Sequence, residues 1–385
     1  MKTNADDHFM SHALALAERG TALASPNPLV GAVLVRDDKI VGEGFHTYDG
    51  RKHAEILAIE QAGDAARGAT LYINLEPCCH TGRTGPCTAA IFAAGIKKVV
   101  AAMPDPNPQV SGKGFEILRK GGVEVEIGAC EEQARRLNDS FARYIRSGLP
   151  LVTLKTAMTL DGKIAAPDDN SGLSRAQSRG WVTSEAARAH VQRQRHAHDA
   201  ILTGIGTILA DDPLLTDRSG LPRRRPLLRV VMDSRLRISS SARLLREIDN
   251  DLLIFTLPSA DPDTHRELEQ RGVEICALKD EATSTGYFAR PDLHKALEEL
   301  GRREITSVLL EAGAELNGAA LDAGLVDKVF LYYAPKLLGG SDSLPMAKGR
   351  GVRAMRDALA VTGIRRYDFG PDFAVEGYLR DVYAT

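Results

Sequence analysis

Three of the chain's five cysteines, Cys78, Cys79 and Cys87, fall within ten residues, and His53-Ala54-Glu55 precedes them. One imidazole and two thiolates form a set that zinc accepts readily, with a fourth tetrahedral position left for water. A fold that uses this set must bring residue 53 against the segment 78–87. Cys79 is a poor co-ligand of Cys78, since adjacent residues seldom converge on one ion. Cys87 can return across Cys79–Pro86, whose two glycines and one proline suit a tight return. His53 and Glu55 would point roughly 200° apart on a regular helix. They share a site only if His53 sits at an irregular helix start. There, and at the start of a helix from Thr88, the positive helix ends would favour a hydroxide.

Three ligands beside a carboxylate are the layout for metal-assisted hydrolysis, in which Glu55 takes a proton from water and passes it to a departing nitrogen. The zinc-deaminase pattern H-x-E…P-C-x-x-C is met in its first two parts, but the second cysteine lies nine positions after the first rather than three. Two plainer readings compete: a buried, inert cysteine pair, and a structural zinc with His80 as fourth ligand. Cys130 and Cys276 read as structural.

At 385 residues the chain is long enough for two domains or three. With 49 Lys and Arg against 51 Asp and Glu, it offers no general basic face for nucleic acid. No apolar run approaches the roughly 18 residues of a membrane span, and the first residues are acidic and amphipathic, unlike a signal peptide. An odd cysteine count argues against a disulfide framework. The expectation is a cytoplasmic protein without membrane or nucleic-acid partners.

Apolar periodicity predicts a helix over Phe9–Arg19, with Asp6 and Asp7 as caps, and further helices from His53, over Thr88–Ala94 and over Glu131–Ile145. Strands are predicted at Val30–Val35, Thr70–Leu75 and Lys97–Met103, after Ser25-Pro26-Asn27-Pro28, which proline holds extended. Ser147-Gly148-Leu149-Pro150 reads as a linker, giving domains 1–147 and 148–385. Beyond it, strands are predicted at Leu151–Thr156, Ala200–Thr203, Leu228–Met232, Asp251–Phe255, Ser307–Leu310 and Lys328–Tyr333. Helices over Ser184–Arg195, Thr264–Arg271 and Leu293–Leu300 alternate with them. The first half therefore reads as an α/β sheet with parallel pairing, and the second as another α/β domain with its own sheet. Pro167–Gly180 reads as a polar surface loop. A G-x-G-x-x-G fingerprint is missing from the opening of the second half. Gly313–Gly318, after a strand, instead offers free N–H groups at a helix start, suited to a diphosphate.

The ordered segments SPNPLVGAVLV (25–35), GEGFH (42–46), HAE (53–55), LYINLEPCCHTGRTGPC (71–87) and DPNPQVSGKG (105–114) closely resemble the bifunctional riboflavin-biosynthesis deaminase/reductases of bacteria. In the second half LKTAMTLDGKIA (154–165), WVTS (181–184), ILTGIGTILADDPLLT (201–216), VMDS (231–234), EAGAELNGAAL (311–321) and APKLLGG (334–340) agree. The longer cysteine spacing belongs to that branch. The resemblance implies an N-terminal cytidine-deaminase-like domain and a C-terminal dihydrofolate-reductase-like domain. The first would deaminate 2,5-diamino-6-(5-phosphoribosylamino)pyrimidin-4(3H)-one. The second would reduce the ribosyl group with NADPH, giving 5-amino-6-(5-phosphoribitylamino)uracil. It further implies a homo-oligomer, a dimer through the reductase domain.

By the same resemblance, His53, Cys78 and Cys87 hold one zinc ion, Glu55 shuttles the proton, and Asn27, His46, His80 and Arg83 face the substrate. In the reductase half, Ala157, Trp181, Thr183, Thr207, Asp211, Ser234, Gly313, Ala314, Glu315, Leu316, Asn317, Gly318 and Ala319 are assigned to the cofactor. Arg195, Leu215, Arg218 and Glu311 are assigned to the substrate, the two arginines being suited to a phosphate. Lys155 could contact the opened sugar, and Asp211-Asp212 before Pro213 could simply end a helix. The chain departs from the pattern before Trp181. Arg179, beside Ser178, replaces the usual substrate-contacting serine, and which of the two contacts substrate stays open. The rival reading is another zinc nucleoside deaminase, acting on cytidine or a tRNA adenosine, fused to a reductase-like binding module.

Overall fold

The computed structural model describes residues 4–80, 85–167, 180–279 and 289–384. Residues up to Gly148, with Pro222–Arg224, form one compact unit; Leu149–Leu221 and Arg225–Ala384 form the other.

The first unit is built on a five-stranded sheet: β1 (Gly31–Arg36), β2 (Lys39–Phe45), β3 (Thr70–Ile73), β4 (Lys98–Ala101) and β5 (Glu124–Ile127), in the order β2-β1-β3-β4-β5. Only β3, β4 and β5 run parallel; β1 pairs antiparallel with both β2 and β3. The expected parallel pairing holds for β3, β4 and β5 but not for β1, which forms a hairpin with β2. Its two turn residues, Asp37 and Asp38, adopt φ of 50° and 56°, the backbone sense that matches strand twist. β1 is buried on both faces through Ala32, Val33 and Leu34, under helices Asn4–Glu18 and Ala54–Ala62.

Two helix expectations change. The first helix starts at Asn4, so Asp6 and Asp7 lie in its first turn rather than capping it, and Asp6 accepts from the Tyr72 hydroxyl at 2.9 Å. The single helix over 131–145 is two, Glu131–Leu137 and Asp139–Ser147, broken at Asn138 with φ −112° and ψ 21°. Gly148, at φ 72°, ends the second of these, and β6 begins three residues later.

The second unit carries a nine-stranded sheet: β6 (Leu151–Thr159), β8 (Ala200–Gly204), β9 (Leu228–Met232), β10 (Leu252–Thr256), β11 (Glu274–Ala277), β12 (Ser307–Leu310), β13 (Lys328–Ala334), β15 (Thr362–Phe369) and β16 (Asp372–Tyr378). The order is β11-β10-β9-β8-β12-β6-β13-β16-β15, and β7 (Lys163–Ala165) pairs separately with β14 (Leu344–Pro345). From β11 to β13 every pairing is parallel, while β16 and β15 add an antiparallel edge. One face packs Val152, Leu202, Val230 and Leu310 against Leu297 and Leu300, and the other packs Ile201, Val231 and Ile254 against Ile205 and Ile208. Burial on both faces is what a helix-flanked parallel sheet requires. Among the described residues no helix is long and apolar enough to cross a membrane. The expected 167–180 loop lies outside the described residues except at its two ends.

Candidate functional site

His53 is the N-cap of helix Ala54–Ala62, extended at φ −73° and ψ 157°. This break in helical geometry lets His53 and Glu55 serve one site despite their spacing. Cys78 lies in the loop after β3, and Cys87 opens helix Cys87–Ala93 behind an extended Pro86. His53 Nδ1 is 3.1 Å from Cys87 Sγ and 3.5 Å from Cys78 Sγ, and the three donor atoms lie within 4.8 Å of one another. Tetrahedral zinc sets N···S edges of about 3.6 Å, so the trio has the size and donor chemistry for that ion. It is the one such cluster among the described residues. His80 is exposed and outside it, leaving three protein donors.

The electrostatics suit an ion ligated by sulfur. Hydrogen bonds from Cys87 and, more weakly, His53 hold the Cys78 thiol well below the ordinary thiol range against the effect of burial. The hydrogen shared with Cys78 pushes Cys87 up. Glu55 is buried, and burial raises its carboxyl above the usual range even beside His53. The Cys87 N–H donates to Cys78 Sγ at 3.3 Å, and the Thr88 N–H to the Cys78 carbonyl at 3.2 Å, so this helix start faces the thiolate.

Asn27 and His46 join the same site. His46 is edge-on to His53, with ring centroids 5.5 Å apart. Burial pushes His46 down, so the neutral ring donates from Nδ1 to the Lys52 carbonyl at 2.9 Å and accepts from Asn27 Nδ2 at 2.9 Å. Two asparagines that the sequence reading missed hold this loop. Asn138 Oδ1 accepts from the Leu29 N–H at 2.8 Å; Asn138 Nδ2 and Asn74 Nδ2 donate to the Leu29 carbonyl at 3.0 and 2.8 Å. The only signal for Asn74 was one amide inside an otherwise apolar strand segment. Arg83 lies outside the described residues.

In the second unit, β8 and β12 are parallel neighbours, each running into a helix without a side-chain cap. Gly204 precedes Ile205–Asp211, and Gly313 precedes Ala314–Asp322. The Thr207 hydroxyl is 3.8 Å from where a Cβ on Gly313 would sit. This is the carboxyl edge of a parallel sheet, beside the strands where chain order reverses, the usual place for a ligand. Ala157 on β6 pairs with Tyr332, and Ser234 follows β9. Trp181 is exposed with the Arg188 guanidinium 5.0 Å over its ring, and Arg188 also donates to the carbonyl of buried Thr183 at 2.6 Å. Asp211 ends its helix and Asp212, at φ 41°, caps it. Asn317 and Gly318 face inward. The Asn317 amide donates to the Ala312 and Met346 carbonyls at 3.2 and 2.9 Å, and a side chain on Gly318 would collide with the Lys348 carbonyl. Glu315 is exposed and pairs with Arg290, while Ala314, Leu316 and Ala319 are buried or half-buried.

Glu311, just after β12, takes a fork from Arg195, with Nε–Oε1 at 2.8 Å and Nη2–Oε2 at 3.1 Å; Lys155 Nζ is 3.2 Å from Oε2. Burial works against this charge, but Arg195 and Lys155 outweigh it and hold the carboxyl at about 2. Arg195 also donates to the Thr216 carbonyl at 3.0 Å, His196 meets Asp217 at 3.0 Å, and Gln192 accepts from the Arg218 N–H at 2.9 Å. Helix Glu185–Ala197 thereby fixes the loop that carries Leu215, at φ 56°, and Arg218. Ser178 and Arg179 lie outside the described residues.

A deaminase-type zinc cluster on one unit and a ligand-ready parallel-sheet edge on the other define a two-site α/β enzyme. Residues 3–103 match the cytidine and deoxycytidylate deaminase zinc-binding region, and residues 150–374 match the RibD C-terminal domain. The chain is 39% identical over 376 residues to the riboflavin biosynthesis protein RibD of Bacillus amyloliquefaciens, covering 98% of this chain and 97% of the relative. RibD of Acinetobacter baumannii superposes with a TM-score of 0.81 at 37% identity, covering 97% of this chain and 98% of that one. A diaminohydroxyphosphoribosylaminopyrimidine deaminase/5-amino-6-(5-phosphoribosylamino)uracil reductase of Thermotoga maritima does so with 0.79 at 35%, with the same coverage. The chain belongs to the RibD family: it is a bifunctional deaminase/reductase of riboflavin biosynthesis.

Proposed function

We propose that residues 1–147 hydrolyse the 2-amino group from 2,5-diamino-6-(5-phosphoribosylamino)pyrimidin-4(3H)-one, and that residues 148–385 then reduce the ribosyl group to ribityl with NADPH. The observation that carries this reading is the meeting of His53, Cys78 and Cys87 beside a buried Glu55. His53, Cys78 and Cys87 would hold zinc, which when bound acidifies a water near neutral pH. Glu55 accepts a proton from the attacking water and returns it to the departing nitrogen. Neutral His46 fixes the Asn27 amide, and Asn27, His46, His80 and Arg83 orient the pyrimidine and its phosphoribosyl arm.

NADPH supplies the hydride of the second reaction. The open N–H groups after Gly313 suit its diphosphate. Thr207, Asp211, Ser234, Ala157, Trp181, Thr183 and the run Gly313–Ala319 frame the cofactor. Arg195, Leu215, Arg218 and Glu311 frame the ribotide, and Lys155, held by Glu311, faces the sugar. The protein works in the cytoplasm, where NADPH is present and thiols stay reduced. It pairs as a homodimer through the reductase unit, a reading favoured by exposed Val352, Met355, Leu359 and Ile364 near the edge strand β15.

Purified protein given the ribotide and NADPH should release ammonia first and oxidise NADPH only afterwards. Turnover of cytidine alone, with no ribotide deaminated, would defeat the proposal.

A further inference from the structure

Glu76 leads into Pro77-Cys78, is 3% exposed, and takes no part in the steps above. Its carboxyl oxygens accept from four backbone N–H groups of one segment. Oε2 accepts from Asp105 at 3.0 Å and Gly112 at 2.9 Å, and Oε1 from Gly114 at 2.8 Å and Phe115 at 3.4 Å. Gly112, at φ 85°, is the N-cap of helix Lys113–Lys120 and has no side chain to cap it. Glu76 therefore supplies, from another element, the acceptor that this helix start lacks. The approach is close: a side chain on Gly114 would collide with the Pro77 carbonyl. Within the segment, Asp105 Oδ1 accepts from the Asn107 N–H at 2.8 Å, and the Asp105 carboxyl lies near enough to Cys78 and His80 for both to act on it. Residues 105–115 thus form a wall beside the metal-type cluster, and one buried side chain ties that wall to the cysteine loop.

We infer that Glu76 is a positioning residue of the deaminase site, fastening the 105–115 wall to Pro77-Cys78 so that the pocket for the phosphoribosylated pyrimidine is preformed. The inference rests on the deaminase reading above. If the wall works loose, only a fraction of molecules can accept substrate. Apparent affinity falls by that fraction, while saturating substrate restores the competent state. Loss of Glu76 should therefore raise KM and spare kcat, whereas a merely structural role would lower stability and leave KM alone.

Glu76→Gln keeps the shape but turns one acceptor oxygen into an NH2 that faces N–H donors, leaving about two of them unsatisfied. The expected result is a KM for the ribotide raised about 30-fold, equivalent to about 2 kcal/mol, with kcat changed by less than about threefold. Bound zinc and the reduction rate with deaminated ribotide should equal wild type, and the amides of Asp105, Gly112 and Gly114 should exchange hydrogen faster. An unchanged KM overturns the inference, and so does loss of zinc with collapse of kcat, which would make Glu76 a support of the metal alone. Should Glu76→Gln fail to fold, Gly114→Ala decides by the same KM-selective loss or its absence. Wild-type protein that ignores the ribotide would sink the deaminase reading rather than this one.

Discussion

Glu55 lies buried beside His53 and Cys87, and burial raises its carboxyl above the ordinary carboxylate range; its place beside the donor cluster suits the exchange of a proton with water. Glu55→Gln keeps the shape without the proton. Ammonia release should fall about 10³-fold, with zinc content and reduction of supplied intermediate unchanged. In the second unit Glu311 balances two cations, so Glu311→Gln leaves Arg195 and Lys155 buried without their carboxylate. That should cost about 3 kcal/mol in the urea unfolding of this unit. His190 packs among Phe330, Tyr367 and Phe369 and shares a hydrogen bond with Tyr332 at 2.7 Å. Burial, then Arg193, lowers it to about 4. The unfolded ring binds its proton near 6.5 and the folded ring does not, so stability present above that pH drains away as pH falls toward 4. His190→Phe should flatten the fall in urea midpoint between pH 7 and 5. At this scale the sequence singled out residues with diagnostic chemistry, such as His53, Glu55 and the cysteines. It was silent on Glu76, Asn74 and His190, whose roles depend on partners distant in the chain.

Among the elements, those with strong apolar patterning were legible: β1, β3, β4 and six strands of the second sheet lie within a few residues of their predicted places. β2, β11, β15 and β16 were not, because each leaves much of its surface to solvent or sits at or beside a sheet edge, which blurs the alternation. The Asn138 break has a different cause. Its neighbours are good helix formers, but its amide is spent on Leu29, and that contact outweighs helical continuity. Asn138→Ala should cost about 1–3 kcal/mol in unfolding of the first unit, and it should raise the ribotide KM, because the loop bearing Asn27 loses its tether.

At the scale of the molecule, two chemistries share one chain on two compact units with separate sheets. Stripping metal with a chelator should abolish deamination while leaving NADPH-dependent reduction of supplied intermediate intact, and added zinc should restore the first. Loss of both activities would show that the second unit depends on the metal. The sequence by itself determined the α/β class, the metal-type donor set and the family, because donor chemistry and ordered motifs are local properties of the chain. Tertiary structure alone decided that β1 turns back antiparallel, that Arg195 is held by Glu311, that Asn317 and Gly318 face inward, and that Glu76 joins two loops. Apart from the local β1–β2 turn, each of these is a contact between residues distant in sequence, and the burial and hydrogen bonding that select it exist only once the chain has closed on itself.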